Sequence, residues 1–342
     1  MAERIAVTGA SGVVGGAAAR AFQARGDTVI AVQRGALPEG LRSAGAVEWR
    51  ADVAGSIEDL EQAFAGCAAV VHAAARVDIT GPWEDYERIN VLGTRQVVEA
   101  ARRSGVQRLV LVSSPSVAHV GYALVGAGAE PADPARARGH YSRSKAMAEQ
   151  QALAADGGDL AVTAVRPHLV WGPGDSQLTE RIIDRARLGR LVTIGTGAAL
   201  IDTTYIDNAG TAIVAAVDRA ADAMVRGRAF VVSNGEPRTV SEMLTRIARA
   251  AGVPGPSRSV PFAAAHLGGH VLERVWERTG RDGEPPVTSF LAEQLATAHW
   301  FDQRLTRTAL AWTPEVSLDE GFARLEAHLR GVAPTIEGSQ GL

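Results

Sequence analysis

Residues 5–15 read IAVTGASGVVG, and this stretch decides the fold. Residues 5–8 predict a buried strand and residues 14–25 a helix. Between them stands a G-x-x-G-x-x-G turn: its first glycine permits a tight bend, its second lets a pyrophosphate approach the backbone, and its third lets the helix pack on the strand. Because the helix N-terminus offers N–H groups to an anion, the stretch predicts a dinucleotide-binding turn. A glycine-rich turn that serves packing alone is the alternative.

Short apolar runs and helical stretches alternate through the first half of the chain. The further predicted strands are residues 28–33, 47–50, 69–73, 108–113 and 162–166, and the predicted helices are residues 57–65, 86–103 and 142–155. The strand at 108–113 is almost continuously apolar, as expected for a strand buried on both faces. This alternation predicts an α/β fold of the Rossmann type, a doubly wound parallel sheet with helices on both faces.

The rhythm changes after Pro167, where WGPGD at 171–175 is a turn cluster. The second half predicts helices at 178–188, after Asp207 and from residue 241, with short strands near 191–194 and 228–232. We therefore expect a nucleotide-binding domain at residues 1–170 and a smaller, mostly helical substrate domain at 171–330, interleaved with the first. Residues 331–342 are expected to form a flexible tail.

Composition narrows the class of protein. The 342 residues are 46% hydrophobic with a formal charge of −3, which fits a globular protein and argues against a nucleic-acid binder. A single cysteine, Cys67, favours the reducing cytoplasm, and no signal peptide is recognisable. Residues 109–129 are uncharged and long enough for a membrane span, but their serines and glycines favour a strand and an irregular loop.

The end of the second strand indicates which dinucleotide binds. In NAD-binding folds an acidic residue there bonds the ribose 2′-hydroxyl. Residues 32–35 read VQRG, without a carboxylate and with Arg34 beside the expected position. A guanidinium pairs with a 2′-phosphate, which favours NADP(H) over NAD(H), although a solvated surface arginine gives the same pattern. Asp52 is a candidate for the adenine amino group, with Val53 beside the ring.

A second motif, YSRSK at 141–145, predicts acid–base chemistry. Positions i and i+4 share one helical face, so the Lys145 ammonium is expected beside the Tyr141 phenol, lowering its pKa from the free value of about 10. Most such pairs are surface contacts, but SSPS at 113–116 ends the fifth predicted strand. Ligands of open α/β sheets bind at those ends, where a serine can donate to a substrate carbonyl.

Several segments together resemble the extended short-chain dehydrogenase/reductase family. They are TGASGVVG (8–15), HAAA (72–75), Asn90, VSSPSV (112–117), YSRSK (141–145) and RPHLVWGPGD (166–175). The resemblance implies that Ser114 is the catalytic serine, with Ser113 as the alternative, and that Tyr141 is the acid/base. Lys145 is its implied partner and holds the nicotinamide ribose. Asn90 is implied to support the proton relay, unless it only satisfies a helix kink.

The turn and the resemblance together give a set of expected cofactor-binding residues. They are Gly9, Ser11, Gly12, Val13, Val14, Gly15, Arg34, Asp52, Val53, Ala73, Ala74, Ala75, Tyr141, Lys145, Pro167 and Leu169. HAAA (72–75) replaces the asparagine–alanine–glycine segment that is more usual in the family.

Within the family, AVQRG (31–35), TTYIDNA (203–209), VSNGEP (232–237) and AHWFD (298–302) resemble the branch of 2-alkyl-3-oxoalkanoate reductases in bacterial olefin and β-lactone biosynthesis, itself close to 3β-hydroxysteroid dehydrogenases. The resemblance implies reversible, NADPH-dependent reduction of the 3-keto group of a long-chain, apolar 2-alkyl-3-oxoalkanoic acid. It also implies a homo-oligomer and allows assembly with later pathway enzymes. The alternatives are a 3β-hydroxysteroid-type dehydrogenase, a nucleotide-sugar epimerase and a non-catalytic NADP(H) sensor, which usually lacks the tyrosine–lysine pair.

Weaker candidates remain. Trp83, Ser116, His119 and Tyr205 are candidate substrate contacts, although rim packing or a domain junction would also explain Trp83 and Tyr205. His168 fits an ordinary packing histidine better than a ligand. Residues 261–276 could wall an acyl tunnel, touch a membrane surface or a partner, or form plain core. No His, Cys, Asp and Glu cluster has metal-ligand spacing, so we expect no metal.

Overall fold

The computed structural model describes residues 2–78, 81–118, 122–279 and 287–331. In chain order the strands are β1 (Arg4–Thr8), β2 (Thr28–Gln33), β3 (Val47–Arg50), β4 (Ala69–His72), β5 (Arg108–Val112), β6 (Leu124–Ala127), β7 (Ala161–Pro167), β8 (Val170–Trp171), β9 (Thr193–Ile194), β10 (Leu200–Ile201), β11 (Thr204–Tyr205), β12 (Ala229–Val232), β13 (Arg238–Thr239), β14 (Ser259–Val260) and β15 (His299–Phe301).

The helices follow the same order. They are α1 (Val13–Arg25), α2 (Glu39–Ser43), α3 (Ile57–Phe64), α4 (Trp83–Tyr86), α5 (Gly93–Arg103), α6 (Gly139–Leu153), α7 (Thr179–Arg187), α8 (Ile206–Arg219), α9 (Val240–Ala250), α10 (Phe262–Thr279), α11 (Ser289–Ala296), α12 (Arg304–Leu310) and α13 (Leu318–Leu329). A π-helical stretch, Glu87–Leu92, joins α4 to α5, and a 3₁₀ turn covers Pro115–Val117.

A seven-stranded parallel sheet organises the chain. Its strand order is β12-β7-β5-β4-β1-β2-β3, and every neighbouring pair runs parallel. The chain winds outward from β1 in both directions, so the C-terminal ends of β1 and β4 flank the point where ligands of such sheets bind. This confirms the predicted Rossmann architecture, and the predicted strands of the first half agree with the observed ones to within one residue at each end.

Two apolar layers enclose the sheet because successive strand residues point to opposite faces. Along β1, Ile5 and Val7 face the layer that contains α1 and α8, whereas Ala6 faces the layer that contains α3, α5 and α6. Small residues let α1 and α8 pack closely: a Cβ at Gly210 would lie 2.6 Å from the carbonyl oxygen of Ala17. The sheet is thereby buried on both faces, as its apolar strands predict.

The two halves of the chain interleave, and a cut at residue 170 does not separate them. β12 and α8 lie beyond that residue but belong to the Rossmann unit. Conversely, β6 from the first half joins β13, β10 and β15 in a four-stranded sheet of the smaller region. The rest of that region is mainly helical, with α7, α9 and α13 around one apolar cluster. Residues 332–342, most of the predicted tail, lie outside the described residues.

Two predicted helices differ locally from the observed ones. The helix predicted at 86–103 is interrupted by the π-helical stretch, where the Thr94 hydroxyl donates to the Asn90 carbonyl oxygen at 2.6 Å. The helix predicted from residue 241 begins at Val240, because Thr239 is the N-cap and its Oγ1 accepts from the Glu242 N–H at 3.1 Å. Both differences come from side chain–backbone hydrogen bonds, which hydrophobic periodicity does not report.

The apolar segment at 261–276 forms most of α10 and is not plain core. Ala265 is buried, but Leu267 and Val271 are 67% and 54% exposed. Within the described ranges, no helix has the length and apolar character needed to cross a membrane. The uncharged stretch at 109–129 contributes to β5, the 3₁₀ turn and β6, apart from residues 119–121, which are not among those described.

Candidate active site

The turn between β1 and α1 has a backbone that only glycine accommodates. Gly9 has a φ of +70°, and a Cβ there would lie 2.7 Å from the backbone of Ala74. A Cβ at Gly15 would lie 2.2 Å from the carbonyl oxygen of Gly9. Gly12 precedes α1 without a side-chain cap, so the first turn of the helix keeps N–H groups for an anion. Ser11, Val13 and Val14 complete the turn.

Gln33, at the end of β2, is a residue that the sequence reasoning missed. Its side chain is 5% exposed, yet neither its amide nitrogen nor its amide oxygen has a hydrogen-bond partner in the described part of the chain. Leaving a buried amide unpaired costs roughly 1–3 kcal/mol. The amide therefore fits a position that a polar group of the dinucleotide completes. The available signal was a polar residue closing the otherwise apolar run TVIAVQ.

Charged residues surround the C-terminal ends of β2 and β3. Partial burial raises the pKa of the Asp52 carboxyl, but hydrogen bonds from the Ala54 N–H (3.0 Å) and the Arg88 guanidinium (3.2 Å), together with the charge of Arg34, lower it overall. Arg34 itself is exposed. Val53 is buried against Gly93, where a Cβ would lie 2.9 Å from Val53 Cγ2. One guanidinium thus contacts Asp52, and the charge of a second, Arg34, acts on it.

Ser114, Tyr141 and Lys145 come together where β5 ends and α6 begins. The Ser114 hydroxyl caps the 3₁₀ turn, lies 3.0 Å from the Ser116 hydroxyl and hydrogen-bonds the Tyr141 phenol. Lys145 is buried, and its Nζ donates to the carbonyl oxygen of Val112 at 2.6 Å. The Ser113 hydroxyl is buried without a partner in the described residues. The contact with the phenol therefore favours Ser114 over Ser113.

Burial dominates the electrostatics of this group. Burial raises the pKa of the Tyr141 phenol, and the hydrogen bond with Ser114 offsets this only in part. Burial also lowers the pKa of Lys145 to about 8, against the opposing charge of Glu149. The prediction that the pKa of Tyr141 lies below its free value is therefore wrong, because desolvation of the phenol outweighs the influences that lower the pKa. At neutral pH both groups carry their protons, so the Tyr141 phenol is in the form that can donate a proton.

A buried hydrogen-bond network runs from the loop after β4 towards α6. The Ala74 N–H donates to Thr8 Oγ1 (3.2 Å), and that hydroxyl lies 2.7 Å from His72 Nδ1. His72 Nε2 lies 3.0 Å from Thr94 Oγ1, whose proton goes to the Asn90 carbonyl, so Nε2 donates and Nδ1 accepts. Burial, and then the charge of Lys145, lowers the pKa of His72 to about 3. The ring is therefore neutral.

Asn90 connects this network to α6. Its Nδ2 donates to the Ser144 hydroxyl (2.9 Å) and to the Arg76 carbonyl oxygen (3.1 Å), and its Oδ1 accepts from the Arg76 N–H (2.8 Å). The Ser144 hydroxyl in turn donates to the Tyr141 carbonyl oxygen at 2.9 Å. Asn90 thus lies in the π-helical stretch that interrupts the helix, as the alternative interpretation predicted, and its bond to Ser144 holds α6. A role in a proton relay stays a prediction.

The segment after β7 has a special backbone. Pro167 ends β7 opposite Val232, and Leu169 adopts a φ of +43°, a region uncommon for residues other than glycine. Between them, His168 is buried, with its Nδ1 2.6 Å from the Asp202 carbonyl oxygen and its ring edge-on to His299 at 4.9 Å. His168 is therefore a packing residue, as expected.

The candidate substrate contacts separate into three groups. Ser116 lies beside Ser114, and Trp83 packs under the Arg143 guanidinium (4.8 Å) and edge-on to His140 (5.7 Å), the residue before Tyr141. The Tyr205 prediction is wrong: its side chain is 2% exposed and packs in the core against Trp171 at 5.5 Å. A tyrosine at a domain junction is buried when both domains close over it. His119 lies outside the described residues.

The residues that surround the glycine turn fit a nicotinamide dinucleotide. The turn leaves no room for a Cβ at Gly9 or Gly15, and the unpaired Gln33 amide lies at the end of β2 in the same sheet. Within the described residues, no group of three or more His, Cys, Asp or Glu side chains could hold a metal ion. A proton donor, a serine donor and a cation at the strand ends suit carbonyl reduction by hydride transfer.

Comparison with known proteins agrees with this geometry. Residues 6–262 match the model of the 3-beta hydroxysteroid dehydrogenase/isomerase family. The chain is 40% identical to the 2-alkyl-3-oxoalkanoate reductase of Stenotrophomonas maltophilia, covering 95% of this chain and 98% of that protein. It is 35% identical to the enzyme of the same name from Shewanella oneidensis, covering 94% and 85%. The structure of MoeE5 in complex with UDP-glucose and NAD aligns with a TM-score of 0.70 at 26% identity over 96% of this chain and 99% of that one.

Proposed function

Since the chain belongs to the 3-beta hydroxysteroid dehydrogenase/isomerase family of extended short-chain dehydrogenases, we propose that it is a ketoreductase that uses NADPH to reduce the 3-keto group of a long-chain 2-alkyl-3-oxoalkanoic acid. That it is an oxidoreductase of this family follows from the match itself. The substrate class and the choice of NADPH are the proposal.

One observation carries the proposal. A relative with 40% identity over nearly the full length of both chains is a 2-alkyl-3-oxoalkanoate reductase, and the structure brings Ser114, Tyr141 and Lys145 together at the end of β5. A non-catalytic dinucleotide sensor has no use for a serine–tyrosine–lysine arrangement at the strand ends.

Each of the three residues has a chemical role in the proposed reaction. The bound dinucleotide supplies the hydride. As negative charge develops on the ketone oxygen, the Tyr141 hydroxyl transfers its proton to that oxygen. The Ser114 hydroxyl donates a hydrogen bond to the same oxygen and orients the phenol. Lys145, fixed by Val112, places its positive charge beside the phenolate that forms, and stabilises it.

The preference for NADP(H) rests on the adenosine end. Gln33 stands where an acidic residue would repel a 2′-phosphate, and Arg34 follows it with an exposed guanidinium. A neutral amide tolerates the phosphate, and the guanidinium pairs with it through charge-assisted hydrogen bonds.

The wider setting is also part of the proposal. We place the enzyme in the reducing cytoplasm, in olefin or β-lactone biosynthesis, where it works reversibly as a homo-oligomer and can assemble with later enzymes of the pathway. A peripheral membrane contact is compatible with the exposed Leu267 and Val271 of α10.

The test compares substrates and cofactors side by side. Purified protein is mixed with NADPH or NADH and with 2-alkyl-3-oxoalkanoic acids, 3-ketosteroids or UDP-sugars, and loss of the reduced nicotinamide absorbance is followed. Because UDP-sugar epimerisation consumes no net cofactor, the sugar products are also analysed. We expect turnover of the keto acids with NADPH, and none with Tyr141→Phe. Turnover of ketosteroids or UDP-sugars without turnover of the keto acids would overturn the proposed substrate. Faster reduction with NADH than with NADPH would overturn the proposed cofactor.

A further inference from the structure

Lys145 is the one lysine of this chain. The sequence contains 35 lysines and arginines, and all of them except Lys145 are arginines. Arginine stays protonated in proteins, whereas the pKa of a buried lysine shifts readily into the neutral range. A lysine at this single position therefore carries a titratable charge, and the surrounding residues decide its protonation state.

A buried carboxylate lies one helical turn beyond Lys145. Glu149 follows it at i+4 on the same face of α6, and its side chain is 1% exposed. Arg166, at the end of β7 and also 1% exposed, holds the carboxylate with two hydrogen bonds, Nε to Oε2 at 2.9 Å and Nη2 to Oε1 at 2.5 Å. Arg166 is held in turn by the Glu130 carbonyl oxygen, which accepts from Nη1 at 2.8 Å.

The groups that face Lys145 can be named element by element. On α6, Tyr141 lies one helical turn before Lys145 and Glu149 one turn after it, and the charge of Glu149 acts on the ammonium. On β4 the imidazole of His72 is neutral, and on β5 the Val112 carbonyl accepts from Nζ. Arg166 approaches from β7 behind the Glu149 carboxylate. Among the described residues, Glu149 is therefore the negative charge that acts on the ammonium.

We propose that Glu149 is a positioning residue that keeps Lys145 protonated beside Tyr141, and that Arg166 fixes the Glu149 carboxylate so that the Lys145 ammonium stays on Val112. The contribution of Glu149 to turnover rests on the proposed function, whereas the effect of Glu149 on the charge of Lys145 does not.

The physical reason is the cost of burying an ammonium group. Desolvation alone pushes a buried lysine towards the neutral form, and an opposite charge nearby restores the protonated form. A carboxylate free to rotate would take the ammonium as a direct partner and pull it away from β5. Arg166 bonds both carboxylate oxygens and the Lys145 Nζ donates to the Val112 carbonyl oxygen, so Glu149 acts on Lys145 through its field.

The single lysine allows a direct test. Protein labelled with carbon-13 at the lysine ε-carbon gives one resonance, from Lys145, and its chemical shift against pH reports the charge of this residue in the full-length chain. The variants are Glu149→Gln and the double variant Glu149→Gln/Arg166→Gln, in which two neutral amides replace the ion pair and avoid a lone buried guanidinium. Glu3→Gln is the control, because it opens a different ion pair, with Arg108 at the far end of β5.

We expect the wild-type resonance to titrate near pH 8, where the pKa of Lys145 lies. Removing the carboxylate should move this titration down by about 1–3 pH units, as loss of a close opposite charge does. In the double variant, Lys145 should also titrate at a lower pH than in the wild type. In the Glu3→Gln control, it should titrate at the same pH as in the wild type. The inference would be overturned if Lys145 titrated at the wild-type pH in the double variant and, where it folds, in Glu149→Gln. Glu149 would then not set the charge of Lys145.

A second measurement tests the link to the reaction. The alkaline fall of kcat/KM for keto-acid reduction should move to lower pH in parallel with the Lys145 titration. An equal loss of activity at every pH, with the alkaline limb unmoved, would reduce Glu149 to a structural role. If the resonance shifted but the wild-type protein reduced no keto acid, the proposed function would fail while the inference about the Lys145 charge stood.

Discussion

Replacing Tyr141 with phenylalanine separates a proton donor from a residue that only makes a hydrogen bond. The change keeps the ring and removes the hydroxyl, which contacts Ser114. Loss of one neutral hydrogen bond costs about 0.5–1.5 kcal/mol, which is roughly a two- to thirteenfold effect. Loss of a general acid costs about 10²–10⁴-fold in rate, or about 2.7–5.4 kcal/mol. The two ranges do not overlap, so the size of the loss identifies the role.

The assay is stopped-flow reduction of a 2-alkyl-3-oxoalkanoic acid, alongside a fluorescence titration with NADPH. We expect the Tyr141→Phe enzyme to bind NADPH normally and to lose at least a hundredfold in kcat. Tyr205→Phe is the matched control, because Tyr205 is a core tyrosine that packs on Trp171, and its kcat should stay close to that of the wild type. A Tyr141→Phe enzyme that lost less than about tenfold would show that the proton comes from elsewhere.

The remaining predictions concern the cofactor, the pH dependence and the turn. Arg34→Ala removes the exposed guanidinium and should weaken NADPH by roughly ten- to a hundredfold while leaving NADH almost unchanged; equal weakening of both, measured by fluorescence titration, would exclude a 2′-phosphate contact. Because Lys145 has a pKa of about 8 and must be protonated, kcat/KM for reduction should be level below pH 8 and fall above it, and a rate that rises through this range would contradict that role. Gly15→Ala places a Cβ 2.2 Å from the Gly9 carbonyl oxygen, so it should lower Tm and abolish dinucleotide binding, and a variant with wild-type Tm and NADPH affinity would refute the packing argument.

Local chemistry explains why the sequence determined the Rossmann unit. Apolar runs, the glycine turn and the positions i and i+4 of YSRSK act over a few residues, so their meaning survives without knowledge of the rest of the chain. The seven-stranded parallel sheet and the place of Tyr141 and Lys145 at its strand ends follow from such local signals. Local signals do not determine the boundary at residue 170, because β12 reaches the sheet from a distant part of the chain.

Contacts between distant residues were decided only by the tertiary structure. The contact with the phenol favours Ser114 over Ser113, Tyr205 proved to be core, and Gln33 was found because its amide is buried without a partner among the described residues. The pairing of Glu149 with Arg166 joins a helix to a strand across 17 residues. Burial and charge depend on which elements the fold brings together, and for that reason the pKa of Tyr141, expected to fall from its neighbour at i+4, is instead raised by the apolar surroundings that only the folded chain provides.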